Sequence, residues 1–203
     1  ENLFFLSLHK LTPPAMKAIL DMGEIRIDGI IGPGHVSTII GKKGWLDLFN
    51  EYKIPFVIMG FKPLEILYGL YKLIEIIEKN EKQLINAYPS SVSEDGNKKA
   101  LELINQVFMI DDIEWRGLGI LKKSGLKINE KYKDLDIKSY YDYKIETKEI
   151  PGCKCGEVLR GIFKPTDCPL FGKLCRPDNP VGPCMVSQEG TCSAFYLYGG
   201  ENE

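Results

Sequence analysis

What this sequence lacks narrows it first. No apolar run approaches the roughly 18 residues that cross a bilayer as a helix, so no membrane role is expected. No basic stretch followed by a short apolar one opens the chain, and nothing there signals secretion. Basic residues show no excess, with 26 Lys and Arg against 28 Asp and Glu and a formal net charge of −2. A nucleic-acid-binding surface normally carries such an excess, so no nucleic-acid partner is expected either. No internal repeat of fixed period is visible. No cysteine precedes Cys153, so thiol chemistry can come only from the last quarter of the chain.

What is present reads as one ordinary domain with a smaller one appended, which 203 residues can accommodate. The chain opens on Glu1 and is apolar at once from Leu3 to Leu6, so an N-terminal part is expected to be absent. Strands are expected at Phe4 to Leu8, Ile25 to Ile31, and Ile54 to Met59. The last is almost wholly apolar, as a strand covered on both faces would be. Helices are expected at Ala15 to Met22, behind a Thr12 cap and Pro13-Pro14, and at His35 to Tyr52 and Leu64 to Lys79. Leu67, Leu70, Tyr71, Ile74 and Ile77 recur along the last at helical spacing, and the stripe of Leu67, Leu70, Tyr71 and Ile74 is expected to be core. Asn86 to Ser93 reads as a loop, Asn97 to Met109 as a helix and Trp115 to Ile120 as a strand. This alternation of strand and helix implies βαβ units, hence a parallel-sheet, Rossmann-like α/β domain over residues 1–128. Residues 129–150, polar and tyrosine-rich, are expected to link it to a cysteine-rich domain at 151–203. Ligand sites in such sheets gather at the carboxyl ends of the strands. His9, the Gly32-Pro33-Gly34-His35 turn and Gly60-Phe61-Lys62-Pro63 fall there.

From Pro151 onward all six cysteines and half of the twelve prolines are concentrated. A segment that cannot build a core alone is usually held by metal or disulfides. Cys153 and Cys155 are separated by one residue, and Cys168, Cys175, Cys184 and Cys192 follow at wide intervals. No C-x2-C knuckle of a zinc ribbon occurs. A disulfide framework needs an oxidising compartment, for which nothing argues. An iron–sulfur cubane takes one thiolate per iron and tolerates ligands brought together by loops. Spacing alone leaves cluster, zinc and disulfide open, in that order.

The intervening residues narrow the choice. Cys153-Lys154-Cys155-Gly156-Glu157-Val158-Leu159-Arg160-Gly161, Lys164-Pro165-Thr166-Asp167-Cys168, Phe171-Gly172, and Pro180-Val181-Gly182-Pro183-Cys184 through Gly190-Thr191-Cys192 resemble the C-terminal signature of the HypD family of hydrogenase maturation proteins. Leu11-Thr12-Pro13-Pro14-Ala15, Gly34-His35-Val36, Gly60-Phe61-Lys62-Pro63, Asn86-Ala87-Tyr88-Pro89 and Trp115-Arg116-Gly117 resemble the same family in the same order. The resemblance implies a cytoplasmic redox scaffold that assembles the transient Fe(CN)2CO unit of nickel–iron hydrogenases with HypC-type and HypE-type partners. It also implies a 4Fe–4S iron–sulfur cluster held by Cys153, Cys168, Cys175 and Cys192, with Cys155 and Cys184 as extra thiols. Two departures stand out. The family's N-terminal iron-binding and redox cysteines have no counterpart here, and Lys62 stands where the family usually has an acidic residue.

Two residues are candidates for catalysis. His35, at a strand-to-helix turn, could hydrogen-bond a cyanide nitrogen or shuttle a proton; otherwise it caps its own turn. Glu189 could be a general acid or hold a partner; otherwise it is a solvated loop carboxylate. His9 is balanced between function and packing. The alternative for the whole chain is an α/β binding module or enzyme whose cysteine tail is structural or holds zinc, with substrate at the Gly32 to His35 turn.

Overall fold

The computed structural model describes residues 2–141 and 151–199. Residues 142–150 of the expected link lie outside them. The elements are β1 (His9–Lys10), α1 (Thr12–Leu20), β2 (Ile30–Pro33), α2 (Gly34–Ile40), α3 (Leu46–Tyr52), β3 (Phe56–Met59), α4 (Pro63–Glu78) and β4 (Leu84–Asn86). Next come α5 (Lys98–Val107), β5 (Phe108–Trp115), β6 (Gly119–Ile128), α6 (Cys155–Leu159) and α7 (Thr191–Tyr198). The chain folds into two compact units: Glu1–Pro13, Ile27–Asp111 and Gly125–Tyr140 form the first, and Pro14–Arg26, Asp112–Ser124 and Tyr141–Glu203 the second.

The first unit is built on a parallel sheet in the order β2-β3-β4, with Ile30 opposite Phe56 and Phe56 opposite Leu84. The mixed α/β class with a parallel sheet read from the strand–helix alternation is therefore present. Phe56, Val57 and Ile58 are at most 1% exposed, which is the burial that a central strand covered on both faces requires. Trp45 is fully buried; its ring meets Phe56 at 5.2 Å and its Nε1–H donates to Ser37 Oγ at 2.9 Å. Ser37 in turn donates to the Pro33 carbonyl at 2.8 Å, so one polar chain ties α2 to the end of β2. A small second sheet, β1-β6-β5, contains an antiparallel pair of β1 and β6.

Several local expectations shift. Phe4 to Leu8 is not a sheet strand. Phe5 alone bridges Asp136, bonded through Leu135 O and the Ile137 N–H, and ladder pairing begins only at His9 opposite Leu126. The His35 to Tyr52 stretch is not one helix. Gly41, at φ +72°, ends α2, a 3-10 turn at Lys42–Trp45 follows, and α3 comes after it. A Cβ on Gly41 would stand 2.3 Å from the Gly96 nitrogen, so this backbone crossing needs glycine. The β2 strand begins at Ile30, later than Ile25. Trp115 to Ile120 holds the β5–β6 turn, with Gly117 and Gly119 at positive φ. The 86–93 loop starts inside β4. There the Asn86 side chain replaces backbone partners, accepting from the Tyr88 N–H at 3.0 Å and donating to Val92 O at 2.7 Å.

The largest correction concerns α4. Leu67, Leu70, Tyr71 and Ile74 are exposed, and it is Gly69, Leu73 and Ile76 that face the sheet. Gly69 sets this rotation. A Cβ there would lie 2.6 Å from Met59, so the helix can sit close on β3 only along its glycine side. Pro63 starts α4, and the Glu65 carboxylate accepts the Lys62 backbone N–H at 3.0 Å. Among the described residues no helix is long and apolar enough to cross a membrane.

Candidate metal centre

The second unit carries the cysteines on short pieces of structure whose positions are fixed mainly by backbone bonds. Cys155 opens α6 and Cys192 lies in the first turn of α7. Cys184 sits in a 3-10 turn, Pro183–Met185. Cys168 follows another, Pro165–Asp167, whose Asp167 carboxylate accepts the Lys164 N–H at 2.8 Å. A tight loop then returns the chain at Gly172 (φ +68°), and the Cys175 N–H bonds to Leu170 O at 2.8 Å. All six cysteines are free thiols, five of them buried.

These pieces converge. The Sγ atoms of Cys155, Cys184 and Cys192 all lie within 4.8 Å of one another. Gly182 packs directly against two of the thiols: a Cβ there would stand 2.6 Å from Cys153 Sγ and 2.8 Å from Cys155 Sγ. Its N–H points at Cys175 Sγ, 3.5 Å away. Cys168 Sγ reaches toward Gly152 O at 3.9 Å. Val158 and Met185 complete an apolar lining, with Leu170, Phe171 and Val181 packed against it. Gly190 permits the last approach, since a Cβ would meet the Cys184 carbonyl oxygen at 2.3 Å. Thiols gathered in an apolar setting are soft donors suited to zinc or to an iron–sulfur cluster.

The electrostatics follow from the crowding. Burial pushes the Cys153 thiol up to about 12. Hydrogen bonds to Cys155 and Cys192 hold the Cys184 proton in place and raise it strongly. Cys192 collects hydrogen bonds from Cys155 and Cys184 and is lowered to about 4. The metal-free triad thus stores one thiolate between two thiols. Because the Cys192 value is depressed on folding, its contribution to stability is present above the unfolded thiol range and is lost as pH falls through about 4. A metal-free sample is expected to keep one thiolate's ultraviolet absorbance from neutral pH down to about 4, and Cys192→Ser to remove it. Absorbance appearing only near pH 9, the ordinary thiol range, would refute this arrangement.

Of the four cysteines named by resemblance, only Cys192 belongs to the close triad, in which Cys155 and Cys184 join it. Cys153 and Cys175 border the triad through Gly182, while Cys168 Sγ lies 3.9 Å from Gly152 O. His35 is exposed at the carboxyl end of β2, its ring 5.2 Å from that of Phe61 in the segment after β3. His9 packs edge-on against Phe108 at 5.0 Å, with Ser7 Oγ 3.1 Å from its Nδ1. Glu189 is an exposed turn residue whose N–H donates to Ser187 Oγ at 3.2 Å. Residue types alone did not single out two positioning arginines. Arg160 donates to the Met22 and Glu24 carbonyls at 3.3 and 3.1 Å, and Arg116 to the Pro180 and Val181 carbonyls at 3.1 and 3.0 Å. Arg116 thereby holds the backbone that leads into Gly182. The only sequence signal for them is their place inside the Leu159-Arg160-Gly161 and Trp115-Arg116-Gly117 motifs.

The chain is similar to known proteins along its length. A family model described as "HypD: Hydrogenase formation hypA family" matches residues 1–199. A hydrogenase expression/formation protein of Methanocaldococcus jannaschii is 44% identical over 199 residues, covering 98% of this chain and 55% of that protein. Hydrogenase maturation factor HypD2 of Bradyrhizobium diazoefficiens is 41% identical over 98% of this chain and 54% of its own length. Hydrogenase maturation factor HypD of Cupriavidus necator is 38% identical over 98% of this chain and 55% of its own length. The chain spans about half the length of the curated relatives it matches. In the archaeal relative, 199 residues at 55% leave about 160 outside the match.

Proposed function

The chain belongs to the HypD family of hydrogenase-formation proteins, and on that premise we propose that it acts as a redox scaffold in nickel–iron hydrogenase maturation. In this reading it works in the cytoplasm with HypC-type and HypE-type partners to assemble the Fe(CN)2CO unit, which is cargo and not a resident cofactor. The Rossmann-like half supplies the surface on which that unit is built. The tail holds a 4Fe–4S cluster through Cys153, Cys168, Cys175 and Cys192. The supporting observation is the gathering of five of the six free thiols, Cys153, Cys155, Cys175, Cys184 and Cys192, in one apolar cluster. The donor set fits such a group: sulfur is plentiful, and the lining is apolar. When bound, the cluster would take up and give out single electrons.

The chain's own residues have separable tasks. Arg116 and Arg160 anchor the loops that present the thiols. His35, exposed at the strand ends, offers an imidazole that can donate a hydrogen bond to a cyanide nitrogen or move a proton. Glu189 is free to meet a docking protein. The role lies in redox poise and partner docking more than in turnover of a free substrate.

One observation favours a second reading. Thiolates around a tetrahedral zinc lie about 3.8 Å apart, from Zn–S bonds of about 2.3 Å, and the Cys155–Cys184–Cys192 triad spans a comparable distance. Purification without oxygen decides between them. A brown protein with about four irons supports the scaffold reading, whereas a colourless one with a single zinc overturns it.

A further inference from the structure

We propose that the outward face of α4, formed by Leu64, Leu67, Tyr68, Tyr71 and Ile74, docks a second folded segment equivalent to the part of the longer relatives that this chain does not span. These positions follow the i, i+3, i+4, i+7 rhythm of one helix face. They lie opposite Gly69, Leu73 and Ile76, which are buried on the sheet. Leu64 is 79% exposed, Leu67 64% and Tyr71 59%. A helix with apolar residues on two opposite faces belongs between two layers, and one layer is supplied here. Phe61, also exposed, extends the patch toward His35.

The occupant follows from length and charge. About 160 residues of the archaeal relative lie outside the match, which is the size of a domain with its own packing surface. The flank of the face is charged but balanced: Glu75 bonds both Lys72 and Lys79 at 2.8 Å. Lys72 also lies over the Tyr68 and Tyr71 rings at 5.8 and 5.4 Å. An apolar, tyrosine-bearing centre with charges at its rim is the composition of a protein interface. A membrane-surface helix would instead carry a basic polar face, and Glu65, Glu75 and Glu78 rule that out here. The proposal stands on family membership and on α4, and not on what the cysteine pocket holds.

The test is co-expression of the full chain with the unmatched part of the Methanocaldococcus jannaschii protein. A 1:1 complex by light scattering is expected. The pair Leu67→Glu and Tyr71→Glu should weaken it roughly tenfold or more without moving the chain's own melting temperature, because both side chains are exposed. Should the unmatched part be insoluble, the aligned substitutions go into the full-length relative. There, loss of hydrogen-exchange protection along the equivalent helix is expected. Three results would overturn the proposal: a complex indifferent to both substitutions, a chain that dimerises through this face, or unchanged protection in the relative.

Discussion

Cys192→Ala is expected, on the scaffold reading, to leave the tail without the proposed metal and to abolish hydrogenase maturation in a complementation assay. Cys192 is the thiol common to the two candidate ligand sets, the one from resemblance and the one from proximity to Cys155 and Cys184. It is also the thiol held as thiolate, at about 4, before metal arrives, and metal binding needs the deprotonated form. The parallel-sheet unit should stay folded, since Cys192 lies in the other unit. Iron should fall from about four per chain to background. Cys155→Ala then separates the sets. Retained metal supports Cys153, Cys168, Cys175 and Cys192, while lost metal assigns the centre to the close triad. Full iron and full maturation in the Cys192→Ala protein would refute both.

Trp45→Ala should cost about 3–5 kcal/mol of folding stability, read as a lowered urea midpoint. The ring is fully buried against Phe56 and donates to Ser37, so truncation removes its packing and its bond and leaves a cavity. Trp45→Phe keeps most of the volume but loses the bond to Ser37, at about 1–1.5 kcal/mol. A loss under about 1 kcal/mol for the alanine variant would show that the site collapses. Because Ser37 ties α2 to Pro33, the alanine variant should also loosen the turn that presents His35.

The tail was the most legible part of this chain. Cysteines, prolines and glycines crowd into it, and its motifs read as one family from the residues between the thiols. Gly182 and Gly190 show why those intervening residues matter: each marks a place where backbone passes so close to a cysteine that a Cβ would not fit. The apolar run ending at Met59 announced a central strand, and it is one. Helix and strand ends were less legible, because Gly41, Gly117 and Gly119 act through φ and through long-range backbone contacts, which a local pattern does not contain.

Two matters lay beyond the sequence. Periodicity showed that α4 has apolar positions, but both of its faces carry them, and only the approach of Gly69 to Met59 decides which face is buried. Spacing showed six thiols, but their grouping depends on how α6, the 168–175 loop and α7 are brought together by Arg116, Arg160 and the glycine contacts. Composition and local motif thus determined the α/β class, the family and the thiol chemistry, because these depend on residue type and near neighbours. The partners of each sulfur and the outward face of α4 were decided by tertiary structure, because they depend on distances between residues far apart in the chain.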